Sequence, residues 1–136
     1  MSQVYYVAPD HIYQVWDKVV PYIKAANDVG LGYHTVDHTK LMLIKGMQFL
    51  LVSEEDSEIT GALVGEFINY PNERVMHINE LGGRLIIKPE LLDLVEDWAR
   101  QNGATRMSAW ADEAQARLYK IKAGFTTARH VVEKKL

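Results

Sequence analysis

The 136-residue sequence contains no cysteine and no long hydrophobic run. Without cysteine, a disulfide framework, a thiol nucleophile and thiolate-bound metals are all excluded. The apolar runs are shorter than the roughly 18 residues that a membrane-spanning helix needs, and the first residues lack the charged and apolar regions of a signal peptide. We therefore expect a cytoplasmic protein without a membrane partner.

Clusters of positive charge are also lacking. The sequence has 15 Lys and Arg residues against 18 Asp and Glu residues, and its adjacent lysines are confined to Lys134 and Lys135. Nucleic-acid binding usually depends on clustered positive charge that neutralises phosphates, so we expect no nucleic-acid partner. The hydrophobic fraction of 48% and the charged fraction of 24% are ordinary for a soluble protein, and the length suits a single domain over residues 1–136.

The clearest pattern lies between residues 75 and 125. An apolar strand is predicted over 75–81, followed by Gly82 and Gly83 and then by an amphipathic helix over Pro89–Gln101. Backbone N–H groups and the positive end of the helix would then face the same space, which is typical of a phosphate-binding site. A glycine turn that simply redirects the chain gives the same pattern and stays open as the alternative.

A second strand and helix complete this segment. The strand is predicted over 105–110 and the helix over 113–122, with Asp112 as its N-cap and Gly124 at its end. The inner face of this helix is predicted to consist of Ala114, Leu118 and Ile121. Core positions are expected for the large aromatics Trp16, Trp98 and Trp110.

The first 46 residues predict a strand and two helical regions. The strand covers 4–7, and the helix that follows from Pro9 carries apolar residues at helical spacing. We expect this helix to kink or break near Val20, because the proline that follows, Pro21, lacks the backbone N–H of a helix interior. The next helix is expected to begin at Thr35 or Asp37, either of which can serve as its N-cap.

The remaining strands predict a mixed α/β domain. Two apolar stretches over 47–52 and 59–68, joined by a short acidic turn, predict a hairpin. A further turn over 70–73 extends the hairpin into an antiparallel meander of strands two to four. A last strand over 128–133 is expected to close the sheet.

The helices of the second half carry a family pattern. It consists of Leu91-Leu92-x-x-Val95-x-x-Trp98-Ala99-Arg100-x-x-Gly103-Ala104, followed by Ala116-Arg117-Leu118-Tyr119-x-x-x-x-Gly124-Phe125. This pattern resembles the C-terminal half of a GNAT N-acetyltransferase domain. The resemblance implies an α/β (α+β mixed) fold with a central, mostly antiparallel twisted sheet flanked by helices. It also implies transfer of an acetyl group from acetyl-CoA to a primary amine of a small-molecule or protein acceptor.

One segment departs from the family pattern. Most members have Gln/Arg-x-x-Gly-x-Gly/Ala ahead of the long helix, whereas the glycines come early in Leu81-Gly82-Gly83-Arg84-Leu85-Ile86-Ile87-Lys88. In this respect the chain looks like compact, divergent members found among tailed-phage genes. The alternative function is therefore a catalytically degenerate GNAT-fold protein that serves as a binding or structural module.

The resemblance implies two catalytic residues. Glu80 ends the central strand, where many members place a carboxylate that takes a proton from the amine, and Tyr119 corresponds to a tyrosine that protonates the coenzyme A sulfur. A glutamate with the usual pKa of about 4.3 is a weak base for an ammonium group, so burial would have to raise the pKa of Glu80. The alternatives are that Glu80 pairs with Arg84 or Arg106 and that Tyr119 is a packed helix residue.

The implied binding residues surround the same strand. Backbone N–H groups from Asn79 to Leu81 are expected to contact the thioester carbonyl, provided that the fourth and fifth strands diverge. The pyrophosphate of acetyl-CoA is expected against Gly82, Gly83, Arg84 and Lys88. The acceptor side is expected to include Tyr33, His34 and His38.

Two further points concern metals and assembly. His34 and His38 are four residues apart, a spacing that can place two zinc ligands on one helical face. No glutamate follows His34 and no third ligand is apparent, so no metal site is predicted. A homodimer is compatible with the resemblance, because terminal strands pair between subunits in some members.

Overall fold

The computed structural model describes residues 2–85 and 88–136. Within these ranges it contains one five-stranded sheet and four α-helices, which confirms the expected α+β fold. The elements in chain order are β1 (Ser2–Val7), α1 (Ile12–Asp28), α2 (Val36–Ile44), β2 (Phe49–Glu55), β3 (Glu58–Asn69), β4 (Arg74–Gly83), α3 (Pro89–Gln101), β5 (Arg106–Ala109) and α4 (Glu113–Ala123). Ile86 and Ile87, part of the loop that departs from the GNAT pattern, lie outside the described residues.

The strands keep their sequence order across the sheet. β1 to β4 pair antiparallel, so the predicted meander of strands two to four is confirmed. β5 pairs parallel with β4, and α3 forms the crossover that a parallel connection needs. The sheet is therefore mixed but mostly antiparallel.

Helices cover both faces of the sheet and enclose two cores. The apolar stripe of α1 packs with α2 on one face, and that of α3 packs on the other, because successive strand residues point to opposite faces. The first core includes Ile12, Val19, Ile23, Leu43, Leu50, Val52 and Val64. The second core includes Leu51, Leu63, Met76, Ile78, Leu91, Val95 and Ala99.

Of the expected kink or break near Val20, the break is wrong, because α1 is continuous from Ile12 to Asp28. Pro21 is exposed, whereas Val19 and Ile23 on either side of it are almost fully buried in the first core. The proline ring therefore lies on the solvent side of the helix. Burial of the apolar stripe stabilises the helix against the loss of one backbone hydrogen bond.

The C-terminal predictions also need correction. Residues 128–133 form no strand, and within the described residues the sheet ends at β5. The inner face predicted for α4 is not buried: Leu118 is 40% exposed and Ile121 is 72% exposed. Trp110, predicted to lie in the core, is 58% exposed. None of the described helices is long and apolar enough to cross a membrane.

The two glycines at the end of β4 are required by close packing. A Cβ atom at Gly82 would collide with the backbone carbonyl of Tyr22 in α1, and one at Gly83 would collide with the carbonyl of Thr60 in β3. Gly83 also has a φ of +82°, in the left-handed region that side chains disfavour. The glycine turn that redirects the chain is therefore present, and it brings β4 against α1.

We predict that Gly82→Ala lowers the free energy of unfolding by about 2 kcal/mol or more, because the new methyl group must push α1 away from β4. Gly30→Ala is the matched control, since a Cβ atom there would lie 3.4 Å from the nearest atom. Urea unfolding of both variants measures the difference. Equal stabilities for the two variants would contradict the close approach of α1 and β4.

Candidate active site

A one-residue offset in strand pairing turns Glu80 toward α1 and α2. Val64 of β3 pairs with Glu80 and Gly65 pairs with Ile78, so Asn79 of β4 has no partner in β3. Ile78 belongs to the core under α3, and strict alternation would place Glu80 on that face as well. The bulge at Asn79 restores Glu80 to the face of its partner Val64, which is the α1 and α2 face.

Helix α2 and the loop before it surround the Glu80 carboxylate. The side chain is only 3% exposed. Its Oε1 accepts a 2.7 Å hydrogen bond from the Thr39 hydroxyl, and His34 Nε2 lies 3.3 Å from the same oxygen. Oε2 is buried and has no hydrogen-bond partner among the described residues. Glu80 therefore has one carboxylate oxygen without a partner in that part of the chain. The alternative ion pairs with Arg84 or Arg106 do not form: Arg84 pairs with Glu55, and Arg106 pairs with Glu73.

An aromatic wall continues from His34. The ring of Tyr33 meets that of Trp110 edge-on at 6.4 Å, and Trp110 meets His77 edge-on at 5.4 Å. His77 precedes the bulge on the same face of β4 as Glu80. The ring contacts therefore connect Tyr33, the residue before His34, to the strand that carries Glu80. His77 Nδ1 lies 2.9 Å from the Ser108 hydroxyl, and burial lowers the pKa of His77, so its ring is neutral at pH 7.

His38 is used differently from its predicted neighbours. Its Nδ1 accepts a hydrogen bond from the backbone N–H of Thr35, and the Thr35 hydroxyl accepts one from the backbone N–H of His38. These reciprocal bonds form a capping box that begins α2. His34 thus contacts Glu80 directly, and Tyr33 takes part in the adjoining ring contacts. His38 instead fixes the start of α2, the helix that carries Thr39.

The sheet opens between β4 and β5 beside Glu80. The parallel pairing ends at Ile78 and Ala109, although β4 continues to Gly83. The edge of β4 from Asn79 onward is therefore free of strand partners on the β5 side. Asn79 Oδ1 is buried and has no hydrogen-bond partner in the described part of the chain. Asn79 and Leu81, predicted to contact a thioester, both lie along this opening.

The residues predicted to bind pyrophosphate are already engaged. Gly82 and Gly83 pack against α1 and β3, and the backbone N–H of Arg84 donates to the Thr60 carbonyl at 3.3 Å. The Lys88 ammonium forms an ion pair with Glu55, whose other oxygen lies 3.7 Å from an Arg84 guanidinium nitrogen. A polar cavity of about 570 Å³ lies at the end of β4, and the residues that line it include Glu55, Thr60, Gly83, Arg84 and Lys88.

Tyr119 lies on α4, the helix that follows the carboxyl end of β5. Gly124 ends α4 with a φ of +72°, and the turn brings the Phe125 ring within 5.4 Å of the Tyr119 ring. Burial and the nearby Asp112 carboxylate raise the pKa of Tyr119 above its usual value. Its phenol is therefore protonated at neutral pH. No hydrogen bond joins Tyr119 to Glu80 in the described residues.

Comparison with known proteins identifies the fold. No family model matches the sequence, and no curated protein does either. An aminoglycoside acetyltransferase from an uncultured soil metagenomic sample, in complex with trehalose, superposes with a TM-score of 0.69 at 14% identity, covering 99% of this chain and 95% of that one. The ribosomal-protein-alanine N-acetyltransferase of Brucella melitensis biovar Abortus 2308 gives a TM-score of 0.67 at 11% identity, covering 100% and 98%.

A third structure was solved with the acetyl donor. A predicted acetyltransferase from Clostridium acetobutylicum with acetyl-CoA gives a TM-score of 0.62 at 16% identity and covers 99% of this chain and 96% of that one. The chain therefore has the GNAT acetyltransferase fold over nearly its whole length. At sequence identities of 11% to 16%, this structural likeness establishes the fold alone.

Three residues of the site were not predicted from the sequence. Thr39 hydrogen-bonds Glu80, Trp110 contacts both Tyr33 and His77, and Glu55 binds the cations at the end of β4. A threonine four residues after an N-cap and a glutamate in a hairpin give no signal of their own. Trp110 follows β5, and this position at a strand end was the one available clue.

The ion pairs of Glu55 predict a pH-dependent contribution to stability. Hydrogen bonds from Lys88, Thr60 and Ser2 lower the pKa of Glu55, with that from Lys88 the largest. A carboxylate with a lowered folded-state pKa stabilises the fold above its unfolded pKa and stops doing so as the pH falls through the folded value. Glu55→Gln should therefore lower the melting temperature at pH 7, and the difference from wild type should shrink as the pH falls below the usual glutamate pKa of about 4.3 and through the lowered folded-state pKa of Glu55.

Thermal melts from pH 7 down to acid test this prediction, with Glu54→Gln as the control. Glu54 is adjacent on β2 and bonds Gln3 and Tyr5 rather than a cation. A Glu55→Gln deficit that persists unchanged in acid would show that the loss comes from packing and not from charge.

Proposed function

We propose that this protein is an acetyl-CoA-dependent N-acetyltransferase that acts on a primary amine. The observation that carries the proposal is the buried carboxylate of Glu80, with Oε2 unpartnered, beside the point where β4 and β5 part. A buried carboxylate oxygen without a donor is unfavourable, so such a group is typically kept for a ligand or a reaction. The GNAT fold supports the same reading.

Glu80 would act as the base in this reaction. A substrate ammonium group that reaches Glu80 would donate a hydrogen bond to Oε2 and lose a proton there, giving a neutral amine and a neutral carboxyl group. Thr39 and His34 hold Oε1, so the carboxylate cannot turn away from the amine. These two residues are positioning residues in the proposal, because they act through Glu80.

The opening beside β4 would receive the acetyl thioester. A backbone N–H on the free edge from Asn79 to Leu81 would donate to the carbonyl oxygen as the amine nitrogen attacks the carbonyl carbon. The carbon–sulfur bond then breaks and the thiolate takes the phenol proton of Tyr119, while the nitrogen loses its second proton to solvent as the amide forms, and solvent returns a proton to the Tyr119 phenolate. The raised pKa of Tyr119 keeps that proton in place until the sulfur becomes basic.

One observation favours a second candidate, a GNAT-fold protein without turnover. Arg84 and Lys88 are the basic residues expected to meet the phosphates of acetyl-CoA, and both are paired with Glu55. Coenzyme binding would require phosphates to compete with this carboxylate. A binding or structural module would keep the pairs as they are and bind no coenzyme.

Calorimetric titration with acetyl-CoA, followed by an acetyl-transfer assay on simple amines, separates the two candidates. Glu80→Gln should retain the coenzyme affinity but reduce turnover by about 10²-fold or more, because the amide cannot take the proton. The amide oxygen can still accept from Thr39, so the fold is kept. Glu90→Gln, on the exposed first turn of α3, is the control. Lack of acetyl-CoA binding by the wild type would sink the enzymatic proposal.

Tyr119→Phe tests the proposed acid. Turnover should fall by about 10²-fold or less with coenzyme affinity nearly unchanged, as expected for one general acid. The wild-type rate should not decline below a pH of about 10 through loss of the Tyr119 proton, because the pKa of Tyr119 is raised above that value. Tyr13→Phe, at an exposed position on α1, is the control. An unchanged rate in Tyr119→Phe would exclude this role.

A further inference from the structure

We propose that Glu55 regulates coenzyme binding as a built-in competitor, because its carboxylate holds the two basic residues that the phosphates of acetyl-CoA would otherwise meet. This inference rests on the proposed function, in which acetyl-CoA binds beside the end of β4. It deepens that function, since it makes one side chain of β2 a determinant of the affinity for the acetyl donor. No sequence pattern pointed to this residue.

Both carboxylate oxygens of Glu55 face a cation. Oε1 accepts a hydrogen bond from the Lys88 ammonium, and Oε2 lies 3.7 Å from a guanidinium nitrogen of Arg84. The Glu55 side chain is only 12% exposed, so solvent and salt screen these pairs less than they screen pairs on the open surface. A phosphate group that arrives at the end of β4 therefore meets cations whose charge is already offset.

Neutral donors hold Glu55 in place independently of the cations. The Ser2 hydroxyl on β1 donates to Oε1 at 3.2 Å, and the Thr60 hydroxyl on β3 donates to the same carboxylate. Because these donors belong to the two strands on either side of β2, the carboxylate cannot move away together with the cations. A phosphate bound by Lys88 and Arg84 would thus lie near a fixed negative charge, which disfavours it by repulsion as well as by competition.

The two cations, in contrast, are long side chains on a fixed backbone. The Arg84 backbone N–H donates to the Thr60 carbonyl and the Lys88 backbone N–H donates to the Arg84 carbonyl, each at 3.3 Å. Their side chains are 61% and 33% exposed and line the polar cavity of about 570 Å³. Several rotatable bonds therefore allow each cation to turn from Glu55 to a phosphate while the fold is unchanged.

Two other carboxylates, those of Asp56 and Glu58, line the same cavity. Glu58 forms no ion pair with Arg84 or Lys88 in the described part of the chain. Glu58 therefore adds to the negative field without holding either cation. This difference from Glu55 supplies a control for the general effect of removing one negative charge.

Calorimetric titration with acetyl-CoA and with inorganic pyrophosphate tests the inference. Glu55→Gln should raise the affinity for both about fivefold or more, because Lys88 and Arg84 are released. The amide oxygen can still accept hydrogen bonds from Ser2 and Thr60. Glu58→Gln should change either affinity by about twofold or less. Equal increases in the two variants would show a general charge effect and would overturn the inference.

A double-mutant cycle with Lys88→Met tests whether Glu55 acts through the shared cation. In the wild-type background Lys88→Met should lower the affinity for acetyl-CoA by about twofold or less, because the ammonium is already engaged. In the Glu55→Gln background the same change should lower it about fivefold or more. Additive effects of the two substitutions would contradict competition for Lys88.

A measurement on the wild type completes the test, because Glu55→Gln is expected to lower the melting temperature. NMR titration of the Glu55 carboxyl carbon gives its pKa with and without saturating acetyl-CoA. Departure of Lys88 and arrival of phosphates should raise that pKa from its lowered value. An unchanged pKa in the saturated protein would overturn the inference.

The same data separate this inference from the proposed function. If the wild type binds acetyl-CoA and transfers acetyl groups but Glu55→Gln binds acetyl-CoA no more tightly, the inference alone is wrong. If neither the wild type nor Glu55→Gln binds acetyl-CoA, the proposed function is wrong and the inference fails with it.

Discussion

The offset in pairing between β3 and β4 decides which side of the sheet carries the Glu80 carboxylate. With Asn79 unpaired, Glu80 lies opposite Val64 on the face covered by α1 and α2. Without the offset, Glu80 would enter the apolar core under α3, where no described polar group could bond it. Because side chains alternate along a strand, one inserted residue exchanges the faces of every residue beyond it. The candidate site exists because of that single residue.

Burying the carboxylate then places demands on α2. An unpaired carboxylate in a low-dielectric interior is strongly unfavourable, so at least one oxygen must be bonded for the fold to tolerate it. The capping box between Thr35 and His38 fixes where α2 begins, and this sets the position of Thr39 one turn later. A local helix-start signal thereby supports a contact across 41 residues of sequence. His34, just before the cap, completes the environment of the same oxygen.

Local signals predicted the elements but not the contacts between them. The helix from Pro89 to Gln101 has the predicted bounds, since its start, stop and apolar spacing all lie within it. The role of Glu55 could not be predicted, because it depends on a hairpin residue reaching Lys88 after the chain has folded. The bulge at Asn79 also has no local signature, since it is defined by the register of β3. The predicted burial of Leu118 failed because helical spacing shows which residues share a face of α4 but not whether another element covers that face.

The two ends of the candidate site differ in how their charged groups are paired. At the end of β4, Glu55 offsets the charges of Lys88 and Arg84, so little net positive charge remains there to attract phosphates. Around the bulge, Glu80 has one buried carboxylate oxygen without a hydrogen-bond partner among the described residues, and its other oxygen is contacted by Thr39 and His34. Under the proposed function, a substrate ammonium group would satisfy the unpartnered oxygen of Glu80, whereas the phosphates of acetyl-CoA would have to compete with Glu55 for Lys88 and Arg84.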